Sequence, residues 1–361
     1  MMIEGSKQNY ANNSDICSYI DNSNIVEKLV IEDIVNGRGY PLLTEERGVG
    51  ASREYLDSVK EVVDYAAWFI GKRKSIKGLK TVIQIPDYLC QLFTIFSNLR
   101  ITVEVYDDGK DSRAHTGAGA SNNSSTQNII NNVGDAFATI PQGSLRNPVE
   151  IHIYAYSEGN ILIRHTVATP LIHELNHQIE TYRRLSHGEK AKDKSSVYSQ
   201  TLAYNTLFRH LRNNKPLAEF IYYLFSNTEI NALISGVYGE MPNISTSRED
   251  FREDIKNLSA YKKYKELKDM LEMMKSVSYP DDLFANLLAI FKNNPEIFSS
   301  ISPVLLNKNC SVKRFRKAFL EKAENALDAI IKGIGRVASY WFDIYENGYH
   351  GFPEYLSSLL H

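Results

Sequence analysis

After residue 166 the apolar residues recur at helical spacing almost without interruption, and every short β-branched run lies before that point. A chain divided in this way segregates its strands from most of its helices, which is the pattern of an α+β fold. The strand-like runs are 81–85 (TVIQI), 101–107 (ITVEVYD), 149–156 (VEIHIYAY) and 161–165 (ILIRH). In the second of these, Ile101, Val103 and Val105 alternate with Thr102, Glu104 and Tyr106, a period of two. Between the last two runs, Ser157-Glu158-Gly159-Asn160 is hairpin punctuation. The stretch 107–128 is rich in Gly, Ser and Asn without apolar period and reads as a long exposed loop.

Helices are expected over 25–35, 52–70, 89–99, 168–184, 195–212, 216–238 with a break at Asn227, 248–277, 281–293 and 311–346. In 52–70 one stripe holds Tyr55, Val59, Val62, Val63, Ala66 and Phe69, and Gly71 closes it. The interruption at Met241-Pro242-Asn243-Ile244-Ser245-Thr246 suggests a boundary. Three parts follow: a polar segment with a short helix (1–51), a mixed domain (52–240) and a helical domain (241–361).

Composition narrows the function classes. With 361 residues the chain is long enough for about two domains. Its 41 basic and 43 acidic residues give a net charge of −2, unlike a dedicated nucleic-acid binder. Cys17, Cys90 and Cys310 lie far apart, so neither a disulfide framework nor a thiolate zinc site is expected. No run approaches the ~20 apolar residues of a membrane span, and no leader pattern is visible. The expected location is the cytoplasm, or a virion if another machine carries the chain there.

The chemistry concentrates in 169–180, TPLIHELNHQIE. His173-Glu174-Leu175-Asn176-His177 is an H-E-x-x-H pattern. Residues four apart share a helix face, so both imidazoles can reach one ion about 2.0–2.1 Å from each nitrogen. Glu174 can face that ion's water without binding the ion and act as general base. Thr169 is the expected cap and Pro170 the first helical residue. A di-iron site would need a second Glu-x-x-His, and no other histidine has Glu three residues before it.

The third ligand must come from elsewhere. The extended metzincin pattern is excluded because Glu180 and Arg183 stand where Gly and His are required. Glu229, in FSNTEINALISG, is the expected ligand, with Ala232 one turn on small enough to allow close helix approach. Glu219 and Glu240 are alternatives. For a transition-state donor, Tyr222 is the candidate, with Tyr238 and His210 behind it. Asp135 is a conceivable second partner for a ligating histidine, and His152, His165 and His187 read as ordinary surface or core residues.

HELNH followed by E-x-x-A resembles the gluzincin type of zincin-like metallopeptidase, including zincin domains of phage and mobile-element proteins, over roughly 52–238. The resemblance implies one Zn2+ per chain held by His173, His177 and Glu229, with Glu174 as base. It also implies an exposed strand edge, Val149–Tyr156 or Ile161–His165, to which a protein or peptide substrate would add by β-augmentation. The expected function is therefore a zinc metalloendopeptidase, a hydrolase. The alternative is an inactive or autoprocessing zincin-fold structural protein of a virion or mobile element. Neither nucleic acid nor membrane is expected as a partner, and the sequence leaves the oligomeric state open.

In the helical part, the apolar stripe Phe319, Leu320, Ala323, Leu327, Ile330, Ile331 and Ile334 is expected to be intrachain core. Lys313, Arg314, Arg316 and Lys317 are expected to form a solvated first turn.

Overall fold

The computed structural model describes residues 26–36, 53–76, 78–86, 100–107, 119–122, 150–158, 161–162, 165–186, 206–244, 247–276, 281–294 and 310–346. The architecture is α+β: a small mixed sheet with helices on one face, continuing into a mainly helical part.

Helix α1 (Arg53–Gly71) precedes five strands, β1 (Lys80–Gln84), β2 (Arg100–Asp107), β3 (Gly119–Asn122), β4 (Glu150–Glu158) and β5 (Ile161–Leu162). The sheet order is β1-β2-β4-β3, with β5 pairing the end of β4. β2 and β4 run parallel in the register Ile101↔Ile151 and Val105↔Ala155, and the other pairings are antiparallel. The pleat places Ile83, Ile101, Val103, Val105, Ile151, Ile153 and Ala155 on one buried face. The other face carries the ion pair Lys80–Glu104, with Tyr106 donating to the same carboxylate at 2.7 Å.

Helix α2 (His165–Ser186) packs against the buried face of the sheet, touching β4, β3 and α1. Its buried surface is Val167, Ala168, Leu171, Ile172 and Leu175. It begins earlier than expected. Thr169 is not its cap, and Pro170 lies inside the helix. Thr166 instead ties the helix start to the sheet, its Oγ1 accepting from the Tyr156 amide at 2.9 Å.

The helical part contains α3 (Lys215–Phe225), α4 (Asn227–Ile244), α5 (Ser259–Lys275), α6 (Asp281–Asn293) and α7 (Val312–Glu346). The expected break near Asn227 falls at Ser226, which has extended backbone (φ −104, ψ 99). The expected single helix over 248–277 is interrupted. A short helical turn, Phe251–Asp254, and a 3-10 turn, Ile255–Asn257, precede an extended Leu258 and then α5. Helix α4 runs through Pro242 to Ile244, so the chain is still helical where the boundary was expected to begin.

The apolar core is continuous across that point, from Ile101 and Leu171 through Ile234 and Met241 to Ile330 and Phe342. The stripe on α7 is intrachain core: Phe319 meets Phe225 at 4.9 Å and Phe315 at 5.8 Å, and Ile330, Ile331 and Ile334 are fully buried. Of the basic first turn, Arg316 lies over the Phe284 ring at 5.0 Å. The expected helix over 89–99 lies outside the described residues. No described helix is long and apolar enough to cross a membrane.

Candidate metal centre

Two helices make the site, and small residues set how closely they approach. Helices α2 and α4 run antiparallel: Thr169 faces Gly236 and Gly239, while His173 faces Glu229 and Ala232. A methyl group placed on Gly239 would lie 2.7 Å from the Thr169 nitrogen, inside any allowed contact. The backbones therefore touch here. This close approach carries Glu229, in the first turn of α4, to the middle of α2.

His173 Nε2 stands 3.6 Å from Glu229 Oε2. That is too long for a good hydrogen bond. Two donors bound tetrahedrally to zinc at about 2.0–2.1 Å lie about 3.4 Å apart. The pair is thus spaced much as two ligands of one ion would be. The other oxygen, Glu229 Oε1, accepts a hydrogen bond from the Tyr222 hydroxyl at 2.8 Å. The Glu229 amide is directed at Ser226 Oγ at 3.4 Å, a loose cap on α4.

Burial works against a charged His173, yet the adjacent Glu229 carboxylate, the Glu174 charge and the Ala232 backbone together raise its pKa above the ordinary value. Glu174 lies on the flank of the same helix. Burial, together with the Glu229 charge and against the pull of His173, pushes its carboxyl up to about 7. Two carboxylates and an imidazole, all half-buried, thus act on one another electrostatically. A divalent cation would relieve the repulsion between the two acids.

The donor chemistry, imidazole plus carboxylate, suits zinc. Among the described side chains, no group of three or more His, Cys, Asp or Glu is gathered as a metal site. His173 and Glu229 supply two donors. The helical backbone continues through His177, one turn further along α2, and its side chain lies outside the described residues.

The other candidates are elsewhere. Glu219 is on α3, partnered by Lys215 at 3.7 Å and Lys263 at 3.9 Å. Glu240 is buried far along α4 from Glu229, and its Oε2 accepts from the Ser259 amide at 2.6 Å. Tyr238 stacks on Tyr340 with centroids 6.3 Å apart. His210 is exposed. His165 opens α2, and burial together with the Lys262 charge lowers its pKa. Asp135, His187 and the His152 side chain lie outside the described residues.

Of the two expected substrate edges, Val149–Tyr156 is corrected. β4 is an interior strand, paired with β2 on one side and, on the other, with β3 over Ile151–Tyr154 and β5 over Ser157–Glu158, while the Tyr156 amide between them bonds to Thr166 Oγ1. β5, the described part of the alternative Ile161–His165, has two residues and pairs with β4 on one side, so among the described residues its other side carries no strand. β3, which touches α2, also pairs on one side only among the described residues. Sequence reasoning placed β3 inside an exposed loop, because Gly-Ala-Ser-Asn has neither β-branching nor apolar alternation. Also missed was the close-packing pair Gly236 and Gly239, whose spacing with Ala232 on one helix face was the available signal.

No family model, curated protein or solved structure matches the chain.

Proposed function

We propose that the chain is a zinc-dependent metalloendopeptidase whose metal is held by His173, His177 and Glu229. The observation that carries this reading is the approach of Glu229 Oε2 to His173 Nε2 at 3.6 Å. The two residues are far apart in sequence and meet through the packing of α2 against α4.

When bound, zinc supplies a water of lowered pKa and polarises a substrate carbonyl. Glu174 takes the proton from the attacking water and delivers it to the leaving amine, so one carboxyl serves as base and then as acid. Burial, which lifts its carboxyl to about 7, suits it to cycle between the two forms. Among the described residues, β3 beside α2 pairs on one side only, and an extended peptide could add to its other side.

A second reading draws on the same contact. His173 and Glu229 form a partly buried ion pair when the imidazole is protonated, which is sufficient for an inactive scaffold of structural role. Protein purified without chelator separates the two. The enzyme is expected to carry about one zinc per chain, to lose it on His177→Ala, and to keep it on Glu174→Gln while peptide cleavage disappears. Absence of zinc from the unaltered protein, or cleavage by Glu174→Gln, overturns the proposal.

A further inference from the structure

The helical break at Ser226 has a consequence for the site. In one unbroken helix, residues 222 and 229 would lie about 10.5 Å apart along the axis. With Ser226 extended, α3 and α4 meet at an elbow, and the Tyr222 hydroxyl donates to Glu229 Oε1 at 2.8 Å. The elbow is fixed from both sides. Phe225 and Leu224 are buried before it and Ile230 after it, and the Ser226 amide still bonds to the Tyr222 carbonyl at 3.0 Å. The Tyr222 ring is held edge-on against Tyr223 with centroids 6.0 Å apart.

A carboxylate has two oxygens and free rotation about its last bond. Fixing one oxygen determines where the other points. Here the Tyr222 hydroxyl occupies Oε1, and Oε2 is the oxygen that faces His173. A hydroxyl committed to this carboxylate is not directed at a substrate oxyanion.

We infer that Tyr222 is a positioning residue for the metal-binding carboxylate of Glu229, and not the donor to the transition state. The inference rests on the metal-site reading above. Partners of this kind, which hold a ligand without touching the ion, are worth about 10–100-fold in metal affinity.

The test is zinc titration of chelator-stripped protein against a competing indicator, on the unaltered chain, Tyr222→Phe and Tyr223→Phe. Co2+ absorption serves as a second readout, because its ligand-field bands report the geometry of bound donors. Tyr222→Phe is expected to weaken zinc binding about 10–100-fold and to change the Co2+ bands. Tyr223→Phe, which deletes the neighbouring hydroxyl, is expected to do neither. Thermal unfolding in chelator checks that both variants fold. Unaltered zinc affinity and Co2+ bands in a folded Tyr222→Phe variant overturn the inference and leave the metal site standing, as does an equal loss in Tyr223→Phe. Failure of the unaltered protein to bind either ion overturns the metal site itself, and this inference with it.

Discussion

Replacing Gly239 by alanine opposes two effects of known sign. Alanine gains about 1 kcal/mol over glycine in a helix interior, because glycine loses more backbone freedom on folding. Against this, the new Cβ would sit 2.7 Å from the Thr169 nitrogen, 2.9 Å from the Ala168 carbonyl carbon and 3.0 Å from the Thr169 Cα. Ordinary contact begins near 3.4 Å, so α2 and α4 must part by at least about 0.7 Å. All three obstructing atoms are backbone, and no rotamer change relieves them. Overpacking of this kind costs about 1–3 kcal/mol, and the rigid obstruction places Gly239→Ala toward the upper end, for a net loss of about 1–2 kcal/mol.

Gly236 is the internal control. A Cβ there would meet the Thr169 Cγ2 methyl at 3.2 Å, a side-chain atom that need shift only a few tenths of an ångström. Gly236→Ala is expected to be neutral or to stabilise by up to about 1 kcal/mol. Urea unfolding of both variants in chelator measures the difference, and zinc titration reports whether the parted helices also separate His173 from Glu229. A Gly239→Ala protein as stable as Gly236→Ala, with zinc affinity intact, would refute the idea that backbone contact sets the site.

Three further outcomes are expected. Burial, only partly offset by the Ser259 hydrogen bonds and the Lys262 charge, pushes the Glu240 carboxyl up to about 7. The folded state then binds more protons than the unfolded state between about pH 4.5 and 7, so stability falls as pH rises through that window, by an upper limit of about 3 kcal/mol. Glu240→Gln should be more stable relative to the unaltered chain at pH 8 than at pH 5, and an equal difference at both pH values in urea unfolding contradicts the assignment. For the buried pair Lys268–Glu27, 2.9 Å apart, burial raises the Glu27 carboxyl, but Tyr261 and Lys268 outweigh it and hold its pKa below the ordinary value. Lys268→Met is expected to cost about 3 kcal/mol or more by stranding Glu27, with most of that recovered in the double variant Lys268→Met/Glu27→Leu; a double variant no better than the single would show that packing, not charge, is lost. Arg248 joins the Ile34 carbonyl at 3.3 Å to Glu346 at 2.8 Å and lies over Phe342. Arg248→Ala should lose about 1–2 kcal/mol in chemical denaturation, with a negligible change counting against its role as a clamp on the Ile34 carbonyl.

The elements legible in the sequence are those whose evidence is local. The stripe through Val62, Val63 and Ala66 forecast α1, and the alternation of Ile101, Val103 and Val105 forecast β2 with its buried face. Helices α6 and α7 match the expected spans within a residue. The starting points of α2 and α5 were misplaced for a physical reason. Thr166 is held by the Tyr156 amide from a neighbouring strand, and the Ser259 amide finds its acceptor in Glu240 of another helix, so neither end is marked by its own neighbours in the chain.

The site divides along the same line. By itself the sequence determined that His173, Glu174 and His177 ride one helix, because a four-residue spacing and a 3.6-residue turn leave little choice. That Glu229 arrives opposite His173, that Ser226 bends the chain so Tyr222 can grip the far oxygen, and that a strand of Gly-Ala-Ser-Asn lines the sheet beside α2 were decided only by the tertiary structure. Those features depend on how closely two backbones pack and on hydrogen bonds between distant segments. The spacing of Ala232, Gly236 and Gly239 marks a close approach without naming its partner, and hydrogen bonds between distant segments leave no periodic mark at all.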